Sequence, residues 1–150
     1  MIRTFDNREV RELAEASSVP VINGLDDDYH PCQVLADLMT IKEKKGDLKG
    51  LQLVYIGDGN NMAHSLMLGG AMAGMNVRII CPEGYRPKEG IVSSAQELGE
   101  KHGCTIEVTG DLEAVAGADV VVEGNTLRDN SANGIVFLEG AGGSIDDNDI

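Results

Sequence analysis

Leu51-Gln52-Leu53-Val54-Tyr55-Ile56-Gly57-Asp58-Gly59-Asn60-Asn61-Met62-Ala63-His64-Ser65 is the stretch on which the fold turns. Its apolar run suits a strand buried on both faces, as in a parallel sheet. Gly57 and Gly59 relax the backbone where that strand must become a helix. Ligands of open parallel sheets sit outside the carboxyl ends of strands, near helix N-termini with free N–H groups. This turn is therefore the first place to expect one.

Outward from the turn, strands and helices alternate. Asn76 to Cys81, Thr105 to Thr109 and Ala118 to Val122 read as further strands. Met62 to Met75, Glu89 to His102 and a short segment from Asp111 to Ala116 read as helices. Gly69, Gly70, Ala71, Ala73 and Gly74 would let the first of these lie close to the sheet. Upstream, Asp6 or Asn7 can cap a helix bearing Val10 and Leu13, and Val19 to Ile22 reads as an extended segment ending at an Asn23-Gly24 turn. Pro31 suits the first position of a helix that carries Val34, Leu35, Leu38, Met39 and Ile41 and ends in Lys42, Lys44 and Lys45 before Gly46. The pattern predicts a doubly wound parallel α/β sheet, Rossmann-like, over residues 1–122.

Residues 123–150 differ in character. They hold five glycines, four Asp, two Glu and a single basic residue, Arg128. Val122 to Leu127 echoes Ile145 to Ile150 at an offset of 23 residues, the period of one coil of a parallel β-helix. Gly134 to Glu139 reads as a strand. A β-rich C-terminal extension is expected, with homo-oligomer formation through unpaired tail strands.

The whole chain sets limits. In 150 residues with 42% hydrophobic content, two Phe, three Tyr and no Trp, the core must be aliphatic. The formal charge of −13 opposes nucleic acid and anionic membrane, so an anionic ligand would need a local basic pocket. Cys32, Cys81 and Cys104 are odd in number and lack CxxC spacing, which suggests neither a disulfide framework nor structural zinc and fits a reducing, cytoplasmic setting. No apolar run approaches the ~20 residues of a membrane span.

Two helix starts carry the candidate chemistry. His30 and Gln33, three apart, can face one pocket at a helix N-terminus, and Asn60 and Asn61 stand at another. For each taken alone, ordinary capping or a surface polar position is the favoured account; together they point to a site.

The order of the pieces resembles ornithine carbamoyltransferase. Val19-Pro20-Val21-Ile22-Asn23-Gly24-Leu25, then Tyr29-His30-Pro31-Cys32-Gln33, then Gly57-Asp58-Gly59-Asn60-Asn61-Met62 with His64-Ser65 look like that family's run from the end of its carbamoyl-phosphate domain into its ornithine domain. The resemblance covers about residues 2–122. It implies that His30 and Gln33 contact carbamoyl phosphate, that Arg3 contacts the same ligand, and that Asn61 binds the amino-acid portion of ornithine. The implied reaction is attack of ornithine's neutral side-chain amine on carbamoyl phosphate, giving citrulline and phosphate. Arg3 and His30 would stabilise the oxyanion while Gln33 orients the carbamoyl amide, with no metal or cofactor. Cys32, between His30 and Gln33, would be a bystander.

The family's SxRT, DxxxSMG and HCLP segments are not in these residues. The expectation is thus a truncated or chimeric segment without useful turnover alone. Two other readings compete. A dinucleotide-binding domain is disfavoured because Met62 replaces the third glycine of GxGxxG and no acidic residue follows at ~20 residues. An engineered or structural chimera, in which the tail completes the sheet or makes an oligomer, is compatible with the family ancestry.

Overall fold

The structure, a computed structural model, describes residues 1–120. The expected β-helix-like tail, its strand at 134–139 and any oligomer built on it lie outside the described residues.

The chain runs β1 (Ile2–Arg3), α1 (Asn7–Ala16), β2 (Asn23–Leu25), α2 (Pro31–Lys45), β3 (Gln52–Ile56), α3 (Asn61–Met72), β4 (Asn76–Ile80), α4 (Glu89–His102) and β5 (Ile106–Thr109). Single 3₁₀ turns occupy Glu83–Tyr85 and Leu112–Val115, the latter where a short helix is expected from the sequence. β1 and β2 pair in parallel. β3, β4 and β5 form a parallel sheet in that order, with Leu53 opposite Val77 and Val77 opposite Ile106. Val120 adds a parallel bridge to Leu53 on the free side of β3. β3 is therefore flanked by β4 on one side and by the chain at Val120 on the other, which makes its carboxyl end the point where the winding reverses.

The α/β expectation is met for physical reasons visible in the residues. Leu53, Val54 and Tyr55 are buried, as a strand covered on both faces requires. α3 buries Ala63, Leu66, Met67 and Ala71 against the sheet. Its small residues permit close packing on both sides: a Cβ at Gly69 would lie 2.6 Å from Val34 Cγ1 on α2, and one at Gly70 would lie 2.4 Å from Val77 Cγ2 on β4. α2 buries Val34 and Ile41 and leaves Leu35 and Met39 exposed. Its last turn carries Lys42, Lys44 and Lys45 at the negative end of the helix dipole.

One expectation is corrected. Asn23-Gly24 is not a turn but the start of β2, alongside β1. Gly24 is there because β1 crosses closely: a Cβ on it would meet Ile2 O at 3.0 Å and Arg3 Cγ at 3.1 Å.

Candidate functional site

The loop between β2 and α2, residues 26–30, is held from two sides. From within, Asp26 is fully buried and every acceptor position on its carboxylate is used. Its Oδ1 accepts the N–H groups of Asp28 at 2.8 Å and Tyr29 at 2.7 Å. Its Oδ2 accepts the side-chain amides of Asn7 and Asn23, both at 2.7 Å. A buried carboxylate is costly unless so compensated, and four donors supply the compensation.

From the other side, the first turns of α3 reach across. Asn61, His64 and Ser65 stand at i, i+3 and i+4 and so share a helix face. Asn61 Nδ2 donates to the carbonyl of Asp26 at 2.7 Å, His64 Nδ1 lies 3.0 Å from the carbonyl of Asp28, and Ser65 Oγ accepts the N–H of His30 at 2.8 Å. Alternate loop residues 26, 28 and 30 are thereby fastened to one helix face. His64 Nε2 also accepts the N–H of Lys88 at 3.1 Å, and the Lys88 ammonium pairs with the Asp28 carboxylate. With one ring nitrogen accepting an N–H, the other must donate, so His64 is neutral with its proton on Nδ1. Burial pushes its pKa down, outweighing the nearby Asp28.

His30 caps α2 as the residue before Pro31, without a side-chain bond to the helix amides; Pro31 has no N–H, and the Val34 N–H returns to the His30 carbonyl at 3.3 Å. Among the described residues its buried Nδ1 has no hydrogen-bond partner. Burial, and next the positive charge of Arg3, lower the His30 pKa, while Asp37 and the Gly24 backbone push the other way. The structure thus brings Arg3, on β1, and Asp37, on α2, into the electrostatic surroundings of His30. Gln33 is exposed, one turn along α2, and donates from Nε2 to Asp37 Oδ1 at 2.9 Å. Among the described residues Asn61 is tied to this cluster through the 26–30 loop, with one of its two N–H donors spent on the Asp26 carbonyl.

At the central turn the ordinary capping account of Asn60 holds. Asn60 caps α3 with its own side chain, accepting from Met62 N at 2.9 Å and Ala63 N at 3.4 Å. A Cβ at Gly59 would fall 2.1 Å from Pro87 N and 2.5 Å from Arg86 C. The segment after β4 therefore fills the space a dinucleotide pyrophosphate would need, and Gly59 N donates to Tyr85 O at 2.7 Å instead. The glycine serves close chain packing.

Sequence reasoning missed Asp26, Asp37, His64 and Ser65 as parts of this site. The i, i+3, i+4 spacing of Asn61, His64 and Ser65 was the available signal; nothing in Asp26-Asp27-Asp28 distinguished the buried carboxylate from its neighbours. Cys81 is buried, whereas Cys104 is half-buried, with its thiol 3.6 Å from the Ala71 carbonyl oxygen. Among the described residues no group of three or more His, Cys, Asp or Glu could hold a metal ion, and no helix is long and apolar enough to cross a membrane.

Comparison with known proteins follows the same division of the chain. The carbamoyl-P binding domain of aspartate/ornithine carbamoyltransferase matches residues 1–43, and the Asp/Orn binding domain matches residues 49–132. The ornithine carbamoyltransferase of Anoxybacillus flavithermus is 58% identical over 122 residues, covering 81% of this chain and 39% of that protein. That of Oceanobacillus iheyensis is 57% identical over 122 residues, covering 81% and 38%. The chain thus spans about two fifths of the length of the curated relatives it matches. Among solved structures, the Pyrococcus furiosus ornithine carbamoyltransferase superposes with a TM-score of 0.76 at 49% identity, over 78% of this chain and 38% of that one. The Gloeobacter violaceus enzyme gives 0.76 at 47% identity, over 78% and 41%. With both halves of the matched segment meeting at the 26–30 loop, the chain belongs to the aspartate/ornithine carbamoyltransferase family.

Proposed function

We propose that the cluster of Arg3, His30 and Gln33 is a carbamoyl-phosphate half-site and that Asn61 contributes to an adjoining site for the amino-acid end of ornithine. The observation that carries this reading is the buried, unpartnered Nδ1 of His30 at an uncapped helix N-terminus, beside the charge of Arg3. A buried polar atom without a partner calls for an explanation, and a bound ligand supplies one here. The relatives' name supplies the ligand class, ornithine and a carbamoyl donor.

The residue chemistry suits the transfer. When the ornithine amine attacks the carbamoyl carbon, negative charge develops on the carbonyl oxygen. Arg3 supplies a permanent positive charge there, and a His30 kept neutral by burial supplies a hydrogen-bond donor without needing to titrate. Gln33 orients the carbamoyl amide. Asn61 keeps a second N–H and its carbonyl oxygen for the amino acid.

These residues by themselves bind without useful turnover. Their contacts come from one segment that spans 39% of a relative's length, and the described residues offer Asn61 as the one proposed contact to the amino acid. Calorimetric titration with a bisubstrate phosphonate analogue of carbamoyl phosphate and ornithine tests the binding, which Asn61→Ala should abolish. Absence of any heat of binding in the unaltered chain would refute the half-site. Citrulline formation clearly above that of a His30→Ala variant would refute the lack of turnover.

A further inference from the structure

His30, Gln33 and Asp37 lie at i, i+3 and i+7, one stripe along the first two turns of α2. The first two have an assigned part in the proposed half-site; Asp37 has none. Its carboxylate is divided in use: Oδ1 accepts Gln33 Nε2 at 2.9 Å, while Oδ2, like His30 Nδ1, is buried without a partner among the described residues. An exposed Gln–Asp pair on a helix stabilises it only slightly and leaves both carboxylate oxygens in water. Here one oxygen is withdrawn from water, a cost that a helix-stabilising pair does not require.

We propose that Asp37 is a positioning residue for the carbamoyl end of the ligand: by taking Gln33 Nε2 it turns Gln33 Oε1 outward as a fixed acceptor for a primary-amide N–H. The reason lies in the two ends of a glutamine amide. Oxygen and nitrogen are nearly equal in size, so a free glutamine presents either end. An ionised carboxylate only accepts, so it binds the nitrogen end and repels the oxygen end. Gln33 is thereby restricted to one orientation, and the site selects a ligand with N–H beside its carbonyl over one with a methyl group there. An asparagine at position 37 both donates and accepts, and removes the restriction.

This inference rests on the carbamoyl-phosphate reading, and the test separates the two. Binding of phosphonoacetamide and of its methyl-ketone isostere, 2-oxopropylphosphonate, is measured calorimetrically for the full chain, for Asp37→Asn and Asp37→Ser, for Gln33→Ala, and for Asp37→Asn combined with Gln33→Ala. One hydrogen bond corresponds to about fivefold in affinity. The unaltered chain should prefer the amide by about that factor. Asp37→Asn and Gln33→Ala should each bring the preference close to one, and Asp37→Asn should change nothing further once Gln33 is removed. A preference kept in both Asp37 variants, an equal loss of both ligands, or an effect of Asp37→Asn that persists without Gln33 overturns the positioning role alone. Binding of both compounds without preference by the unaltered chain does the same. Binding of neither overturns the half-site, and the role of Asp37 falls with it.

Discussion

His64 Nε2 accepts the backbone N–H of Lys88 at 3.1 Å, joining the start of α3 to the segment that leads into α4. Because Nδ1 meanwhile faces the Asp28 carbonyl, the imidazole bridges two loops only while neutral.

A pH dependence of stability follows. Burial lowers the His64 pKa in the folded chain, so between the folded and unfolded values the unfolded chain binds more protons. Stability is then fully present above the unfolded value near 6.5 and falls as pH drops toward the folded value, by at most about 1.4 kcal/mol per pH unit for one group. His30, also lowered by burial, acts in the same direction. Urea midpoints should fall between pH 7.5 and 5.5, and less so in His64→Asn. An equal fall in both chains would assign the effect elsewhere.

Asp26→Asn should destabilise the chain by about 2–4 kcal/mol. An amide nitrogen placed at either carboxylate position would face donors: the Asp28 and Tyr29 amides at one oxygen, or the Asn7 and Asn23 side chains at the other. Chemical denaturation measures the loss. Removal of the exposed Asp27 carboxylate by Asp27→Asn, which touches none of this, should cost less than about 0.5 kcal/mol.

Gly59→Ala should cost at least about 1–3 kcal/mol, the range for overpacking. The atoms a Cβ would meet are the backbone of Arg86 and Pro87, which cannot rotate aside. Gly84→Ala, with open space at its Cβ position, should change the midpoint little.

Asn60→Ala should lower stability by about 1 kcal/mol through the lost cap of α3. The same helix holds the 26–30 loop, so the backbone amide of His30 should also lose protection from hydrogen exchange. Unchanged exchange there would mean that the cap and the loop are not coupled.

The layout of the sheet was legible because its signals are local. Buried strands read as apolar runs such as Leu53 to Ile56, helix starts carry caps such as Asp6 and Asn60, and ends carry glycine, as at Gly46 and Gly103. The stripe of His30 and Gln33 was legible for the same reason, helical spacing near a proline. Asn23-Gly24 misled because the local signal for a turn outranked a requirement set by a distant strand, the close approach of β1 to Gly24.

The sequence by itself determined that a parallel α/β sheet forms, with β3 and the helix after it at the turn where a ligand is first expected, and that His30 and Gln33 share a face at one helix start while Asn60 and Asn61 stand at another. Only the tertiary structure decided which of three consecutive aspartates is buried, that His64 is neutral and bridging, that Pro87 fills the glycine turn, and that one oxygen of Asp37 is buried. Spacing along a chain specifies which face a residue shares with its near neighbours. Whether a polar atom there is bonded, sealed or open depends on segments dozens of residues away, and that is a property of packing alone.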